Sequence, residues 1–110
     1  MPIYTILHKN TQGVLYTTIA DSLKQAVARA VASGTSLANA ELSGADLRGS
    51  NLQGGVFTGA NLKGAKFDGA VLHGADFTNA TMTNTSLLDV LATKVIMTGA
   101  ETTGQTRRDR

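Results

Sequence analysis

The side chains able to carry chemistry in this 110-residue chain are two histidines, His8 and His73, and scattered carboxylates that include Glu41, Asp46, Asp68, Asp76 and Asp89. A nucleophilic relay needs a base held between a hydroxyl and a carboxylate, and the nearest approach to one is His73, with Asp68 and Asp76 close by in sequence. A metal site needs several convergent ligands; the chain has no cysteine, which also removes disulfides and thiolate chemistry. Glycines five apart imitate the G-x-x-x-x-G of a phosphate-cradling loop, yet no Gly-Lys-Ser or Gly-Lys-Thr accompanies them. Arg107, Arg108 and Arg110 surround Asp109 at the end of the chain; such a tail could touch phosphate, but short basic tails are more commonly just solvated. Basic residues interleaved with aromatics, as single-strand binders use them, are absent. The expectation is therefore no catalytic residue, no cofactor, no metal and no nucleic-acid partner.

The elements that would have to position any such groups follow from spacing. Composition is that of one globular domain, 42% hydrophobic and 16% charged with a net charge of +2, but twelve glycines against one proline and 5% aromatics call for a core filled by something small and regular. From Thr35 onward an apolar residue recurs at every fifth position: Leu37, Leu42, Leu47, Leu52, Phe57, Leu62, Phe67, Leu72, Phe77, Met82 and Leu87. A small residue lies two positions before each, and Gly, Asn or Asp two positions after. A period of five gives no single apolar face on a helix or a strand, whereas Gly, Asn and Asp tolerate the positive φ of a turn. Extended pieces joined by corners, winding so that the large residue points inward, satisfy the pattern, and identical units then stack.

The units A-E-L-S-G, A-D-L-R-G, S-N-L-Q-G, A-N-L-K-G and A-D-F-T-N resemble the A-(D/N)-L-x-x pattern of pentapeptide-repeat proteins over residues 35–89. The resemblance implies an all-β solenoid, a right-handed quadrilateral β-helix with four units per coil, so that residues twenty apart stack. Eleven units make about 2.75 coils, roughly 13 Å tall at ~4.8 Å per coil. That register places Phe57 over Phe77 and opposes Asp46 to Lys66 and Arg48 to Asp68 as ion pairs between coils. It also sets His73 at a solvated outward position and scatters the acids over different walls.

Residues 1–34 read as an N-terminal cap. Ile3–His8 and Val14–Ile19 form a hairpin across the loop Lys9–Gly13; Ser22 with Gln25 begins a helix in which Leu23, Ala26, Val27, Ala30 and Val31 share a face, and Gly34 ends it. A hairpin and helix of this kind resembles the front end of phage-encoded pentapeptide-repeat proteins. After Leu87, Val90 and Val95 stand where the pattern wants a small residue. Residues 90–102 are therefore expected to be an irregular last coil whose apolar residues Leu88, Val90, Leu91, Val95, Ile96 and Met97 contact a second copy in a homodimer. Residues 103–110 are expected to be a disordered basic tail.

These readings predict a non-enzymatic binding module that holds or inhibits a bacterial protein partner through the β-helix surface. The alternative is a structural, self-assembling, phage-associated protein. A third reading, from family members that mimic duplex DNA and bind type II topoisomerases, requires on the order of eight net negative charges over ~13 Å, whereas residues 35–89 carry a net −2. No apolar run approaches membrane-spanning length and Met1–Ile6 lacks a basic n-region, so a soluble, cytoplasmic protein with no membrane contact is expected.

Overall fold

The computed structural model describes residues 2–108. It opens with an antiparallel hairpin, β1 (Ile3–Leu7) and β2 (Val14–Ile19), in which Ile3 faces Ile19 and Thr5 faces Thr17 before a bulge between Ile6 and Leu7 shifts the register. β-branched residues dominate both strands, as a half-buried pleated surface favours. The helix α1 (Leu23–Ala32) follows. Ser22 Oγ accepts from Gln25 N, which satisfies an orphan amide of the first turn, and the Gln25 side chain reaches back to accept from Asp21 N, just before the N-cap. At the other end Gly34 takes φ 77°, while Gly34 N and Thr35 N donate to Val31 O and Ala30 O, the double closure of a Schellman turn. Ala26, Val27 and Ala30 are buried, and Val27 and Ala30 share the core of Leu37.

From Leu37 onward the chain is a stack of coils of the β-helix type. Glu41, Asn61, Thr81 and Glu101 form one column of parallel bridges; the other columns are Asp46, Lys66, Ser86 and Thr106, then Asn51, Val71 and Leu91, then Val56, Asp76 and Ile96. Neighbours in each column are twenty residues apart, so four units separate one bridge from the next, and the four columns are called walls here, each named by its first residue. The rung is built from alternating bonds such as Asn61 N to Ala40 O and Leu42 N to Asn61 O, both 2.8 Å. Most rungs bridge through one residue per coil. Among the described residues, only β3 (Ser86–Leu88) and β4 (Thr106–Arg108) pair over three.

Each unit places a small residue inward, then one residue outward, a large residue inward, another outward, and a corner. All eleven large residues from Leu37 to Leu87 are at most 3% exposed. Phe57 and Phe77 stack with centroids 5.2 Å apart, and Phe67 meets Phe77 edge-on at 5.8 Å. Gly55 makes room for this pile, since a Cβ there would lie 2.5 Å from the Phe57 ring. Every corner from Asn39 to Gly104 has a φ between 57° and 73°. Asn39 Oδ1 lies over Gly59, Asn79 Oδ1 over Gly99 and Asn84 Oδ1 over Gly104, close enough that a Cβ on the glycine would collide at 2.5 Å or less.

Two expectations are corrected and one is refined. Residues 90–102 keep the path of the coil, with Asp89, Lys94 and Gly99 in the corner conformation and Leu72 N and Phe77 N donating to Leu91 O and Ile96 O at 2.7 Å, but the bond that closes the other corners, as Ala45 N to Leu42 O does, is missing at Val90 and Val95. Val90 is tolerated at a small position because the next inward residue is Ala92, and the two line the same space. The tail is not disordered over its described part, since Thr106–Arg108 adds a rung to Ser86–Leu88 and Gln105 Nε2 donates to Thr85 Oγ1; residues 109 and 110 lie outside the described residues. The ion pairs between coils do not form as drawn. Asp46 does face Lys66, but its bidentate pair, 2.8 Å on each arm, is with Arg48 of its own unit, while Asp68 accepts from Ser86 Oγ and Leu88 N.

Candidate interaction surfaces

The structure keeps the potential chemical groups apart. His8 Nδ1 accepts from the amides of Asn10 and Thr11 and so shapes the hairpin loop, whereas His73 Nδ1 faces the amide and hydroxyl of Thr93 one coil on. Asp68, His73 and Asp76 stand on three different walls, each engaged with its own neighbours. Among the described residues no group of three or more His, Asp or Glu could hold a metal ion.

A local rule explains most of the acidic and amide side chains on the walls. The first outward residue of a unit accepts from the backbone N–H of the second outward residue, two positions later: Glu41 from Ser43, Asp46 from Arg48, Asn51 from Gln53, Asn61 from Lys63, Asp76 from Thr78. That N–H points along the wall and has no ladder partner, so a short acceptor beside it saves a lost hydrogen bond. The same bonds act on ionisation. Arg48, chiefly by side-chain hydrogen bonding, holds the Asp46 carboxyl down at about 2. Hydrogen bonds from Thr78 lower Asp76, and hydrogen bonding to Ser43 is the largest cause of the lowering of Glu41. These carboxylates are structural parts of the walls.

What the walls offer a partner is uneven. The Asp46 wall carries mixed charge: Asp46, Arg48, Lys66 and Asp68, with Lys24 of α1 donating to Arg48 O at 3.2 Å. The Asn51 and Val56 walls, which meet at the corner formed by Gly54, Gly74 and Lys94, carry exposed apolar side chains. Val56 is 38%, Leu91 40% and Ile96 45% exposed, with Val71 half-buried beside them. A second apolar surface lies on the outer face of the hairpin, where Ile3, Val14 and Ile19 are 47–70% exposed around the Thr5–Thr17 pair.

The six residues expected to form a dimer contact do not share one face. Val90 is buried in the core; Leu88 is a half-buried outward residue of the Asp46 wall whose amide is taken by Asp68. Leu91 and Ile96 point out from adjoining walls, and Val95 and Met97 line the open end. That end was not foreseen as a cavity. A hollow of about 430 Å³ opens there, lined by Leu72, Phe77, Met82, Leu87 and Val90 below and by Ala92, Val95, Met97, Lys94 and Arg107 around the side. The signal was present in the sequence, because Ala92, Thr102 and Arg107 occupy positions that are large and apolar in the coils before.

Among the described residues no helix is long and apolar enough to cross a membrane. A family model for pentapeptide repeats matches the chain in eight copies, over residues 27–54 and 56–99. No curated protein matches it.

Proposed function

Because the chain belongs to the pentapeptide-repeat family, whose members are commonly protein-interaction modules, we propose that it is a non-enzymatic binding module. It holds a bacterial protein partner on the outer surface of its coils. The observation that carries this reading is the apolar patch where the Asn51 and Val56 walls meet: Val56, Leu91 and Ile96 project from backbone bridged to a neighbouring coil, Val56 and Ile96 to Asp76 and Leu91 to Val71. Exposed apolar groups on a rigid, partly polar surface are what a protein interface uses for its buried centre. The coil itself we take to be the right-handed quadrilateral form, which the four columns and the twenty-residue period support.

The test is capture from a bacterial lysate with three forms of the chain: the wild type, Leu91→Ser with Ile96→Ser, and Lys66→Ser with Asp68→Ser. A specific protein retained by the wild type and the Asp46-wall variant but lost by the patch variant supports the reading. Retention by the patch variant refutes the patch as the contact.

Self-association is the second reading, and the exposure of Leu91 and Ile96 near the last coil favours it. Leu91→Glu should then lower the mass measured by light scattering while the β signal persists; an unchanged mass removes the dimer through this segment. DNA mimicry has less support than before. The stack runs to Arg108, about 18 Å at ~4.8 Å per coil, yet residues 35–108 contain six acids and six bases.

A further inference from the structure

The hairpin carries a strand edge whose backbone groups are left over. Ala20 N donates to Pro2 O, and β1 pairs with β2 so that Tyr4 faces Thr18 and Ile6 faces Tyr16. In an antiparallel ladder every second pair exchanges the backbone bonds. Tyr16 and Thr18 therefore turn their N–H and C=O toward β1, while Thr17 and Ile19 turn theirs away from it. On the outer edge of β1, Leu7 O is taken by Glu41 N of the first coil. On the outer edge of β2, Arg29 of α1 donates to Ile19 O, but among the described residues Thr17 N, Thr17 O and Ile19 N have no partner.

The devices that keep strand edges apart are few here. Edges are commonly guarded by charged side chains, a proline or a bulge. The run Tyr16, Thr17, Thr18, Ile19 has no charge and no proline, and the bulge lies at the other end of the pairing, so Arg29 guards only the last carbonyl. Thr17 is exposed, and Ile19 and Val14 on the same face are 47% and 63% exposed.

We propose that β2 pairs with β2 of a second copy, antiparallel about a two-fold axis at Thr17. A strand edge is complementary to itself in that arrangement: Thr17 N of each copy donates to Thr17 O of the other. Ile19 of each copy comes beside Val14 of the other, so both ends of the contact cover apolar surface that the single chain exposes. The exposed side chains Val14, Thr17 and Ile19 carry no charge, and identical strands meet without like charges opposed. A two-fold contact uses up both edges and closes. With only Val14–Ile19 of each copy touching, it falls short of the ~800 Å² per partner of a standard interface, so the dimer forms and dissociates with concentration. It uses the hairpin alone and stands or falls independently of the patch on the Asn51 and Val56 walls.

The experiment follows the mass of the full chain by sedimentation over a concentration series, with amide exchange read by NMR on the same samples. The mass is expected to climb from that of one chain toward that of two. The Thr17 and Ile19 amides gain protection as it does, whereas the Thr18 amide, bonded to β1, is protected throughout. Thr17→Pro removes the central donor at a position where an edge strand tolerates proline, and returns the mass to one chain. Thr17→Lys keeps the donor, sets two like charges opposite each other, and weakens association by about fivefold at low salt. Leu91→Ser with Ile96→Ser leaves the dimer intact. A single-chain mass at every concentration would overturn the proposal and leave the edge to an extended segment of another protein. Thr17 exchange that ignores concentration, a dimer undiminished in Thr17→Lys, or its loss in the Leu91 and Ile96 variant would also overturn it, by placing the contact elsewhere on the chain.

Discussion

At its N-terminal end the stack is closed by other structure, whereas its last coil has none over it among the described residues. The first coil presents large inward residues, Leu37, Leu42, Leu47 and Leu52, which would be bare without a lid. Val27 and Ala30 of α1 and Ile6 of β1 join their cluster. The ladder edge is closed as well: Glu41 N donates to Leu7 O and Lys9 N to Asn39 O, both 2.8 Å, while Lys9 Nζ reaches past the first coil to Gly59 O. At the far end, among the described residues, no element lies over the last coil. Its inward residues become Ala92, Met97, Thr102 and Arg107, so little apolar surface remains to be protected. An exposed ladder edge invites association, and the two ends answer that hazard differently, one by adding structure and the other by removing hydrophobicity. The cost of removal is a hollow.

The largest expected effect separates the filled coils from the tapering one. Phe67→Asp should abolish the cooperative melt, because loss of a buried ring costs about 3–5 kcal/mol and the new carboxylate has no partner. The same charge in Met97→Asp, at the partly open end, should leave a cooperative transition in place. Equal damage from both would erase the contrast between the two regions. Ile6→Ala in the lid should cost about 2–4 kcal/mol and shift a single transition, read by denaturant unfolding. Two separate transitions would show that the lid folds apart from the coils. Ser50→Ala tests the filled interior from the opposite direction, since Ser50 Oγ is buried without a hydrogen-bond partner. Removing it should raise stability by about 1 kcal/mol, and a loss of that size would mean the hydroxyl is satisfied after all.

The smallest effect concerns the walls. The Asp46 carboxyl is depressed from its ordinary 3.8 to about 2 in the fold. A depressed carboxylate adds stability above the unfolded value and loses it as pH falls through the folded one. Acid should therefore weaken the wild type between about 3.8 and about 2, with a shallower loss in Asp46→Asn, measured as the difference in melting temperature. The group is exposed and salt will shrink the effect.

What could be read from the residues alone was whatever repeats locally. A large apolar residue every five positions, a small one two before and a turn former two after identify the inward face and the corners from Leu37 to Leu87. The ring pile of Phe57 and Phe77 follows from stacking at twenty. Pairs whose fit depends on compensation were harder. Val90 looks too large until Ala92 is seen beside it, and so the continuation of the ladder through the last coil was hidden. The corner at Lys94 was hidden because lysine is not a turn former by type. Arg48 pairs with Asp46 instead of Asp68 because a partner two residues away on the same wall is reached with less ordering of the long side chain. β4 was missed because Arg107, at a position that is large and apolar in the coils before, reads as part of a basic tail.

The corner asparagines impose a direction on growth by duplication. Asn39, Asn79 and Asn84 each reach toward the following coil and occupy the place where that coil's corner residue would have a Cβ. In all three cases that residue is glycine, Gly59, Gly99 and Gly104. An asparagine corner is thus an instruction read by its successor, while a glycine corner leaves the successor unconstrained. Copying the coil that contains Gly59 would leave every neighbour compatible, but copying the one that contains Asn79 would set asparagine upon asparagine. The stack can be lengthened at some levels and not at others, and a gene that expands by whole coils would carry that asymmetry as a record of where new turns were inserted.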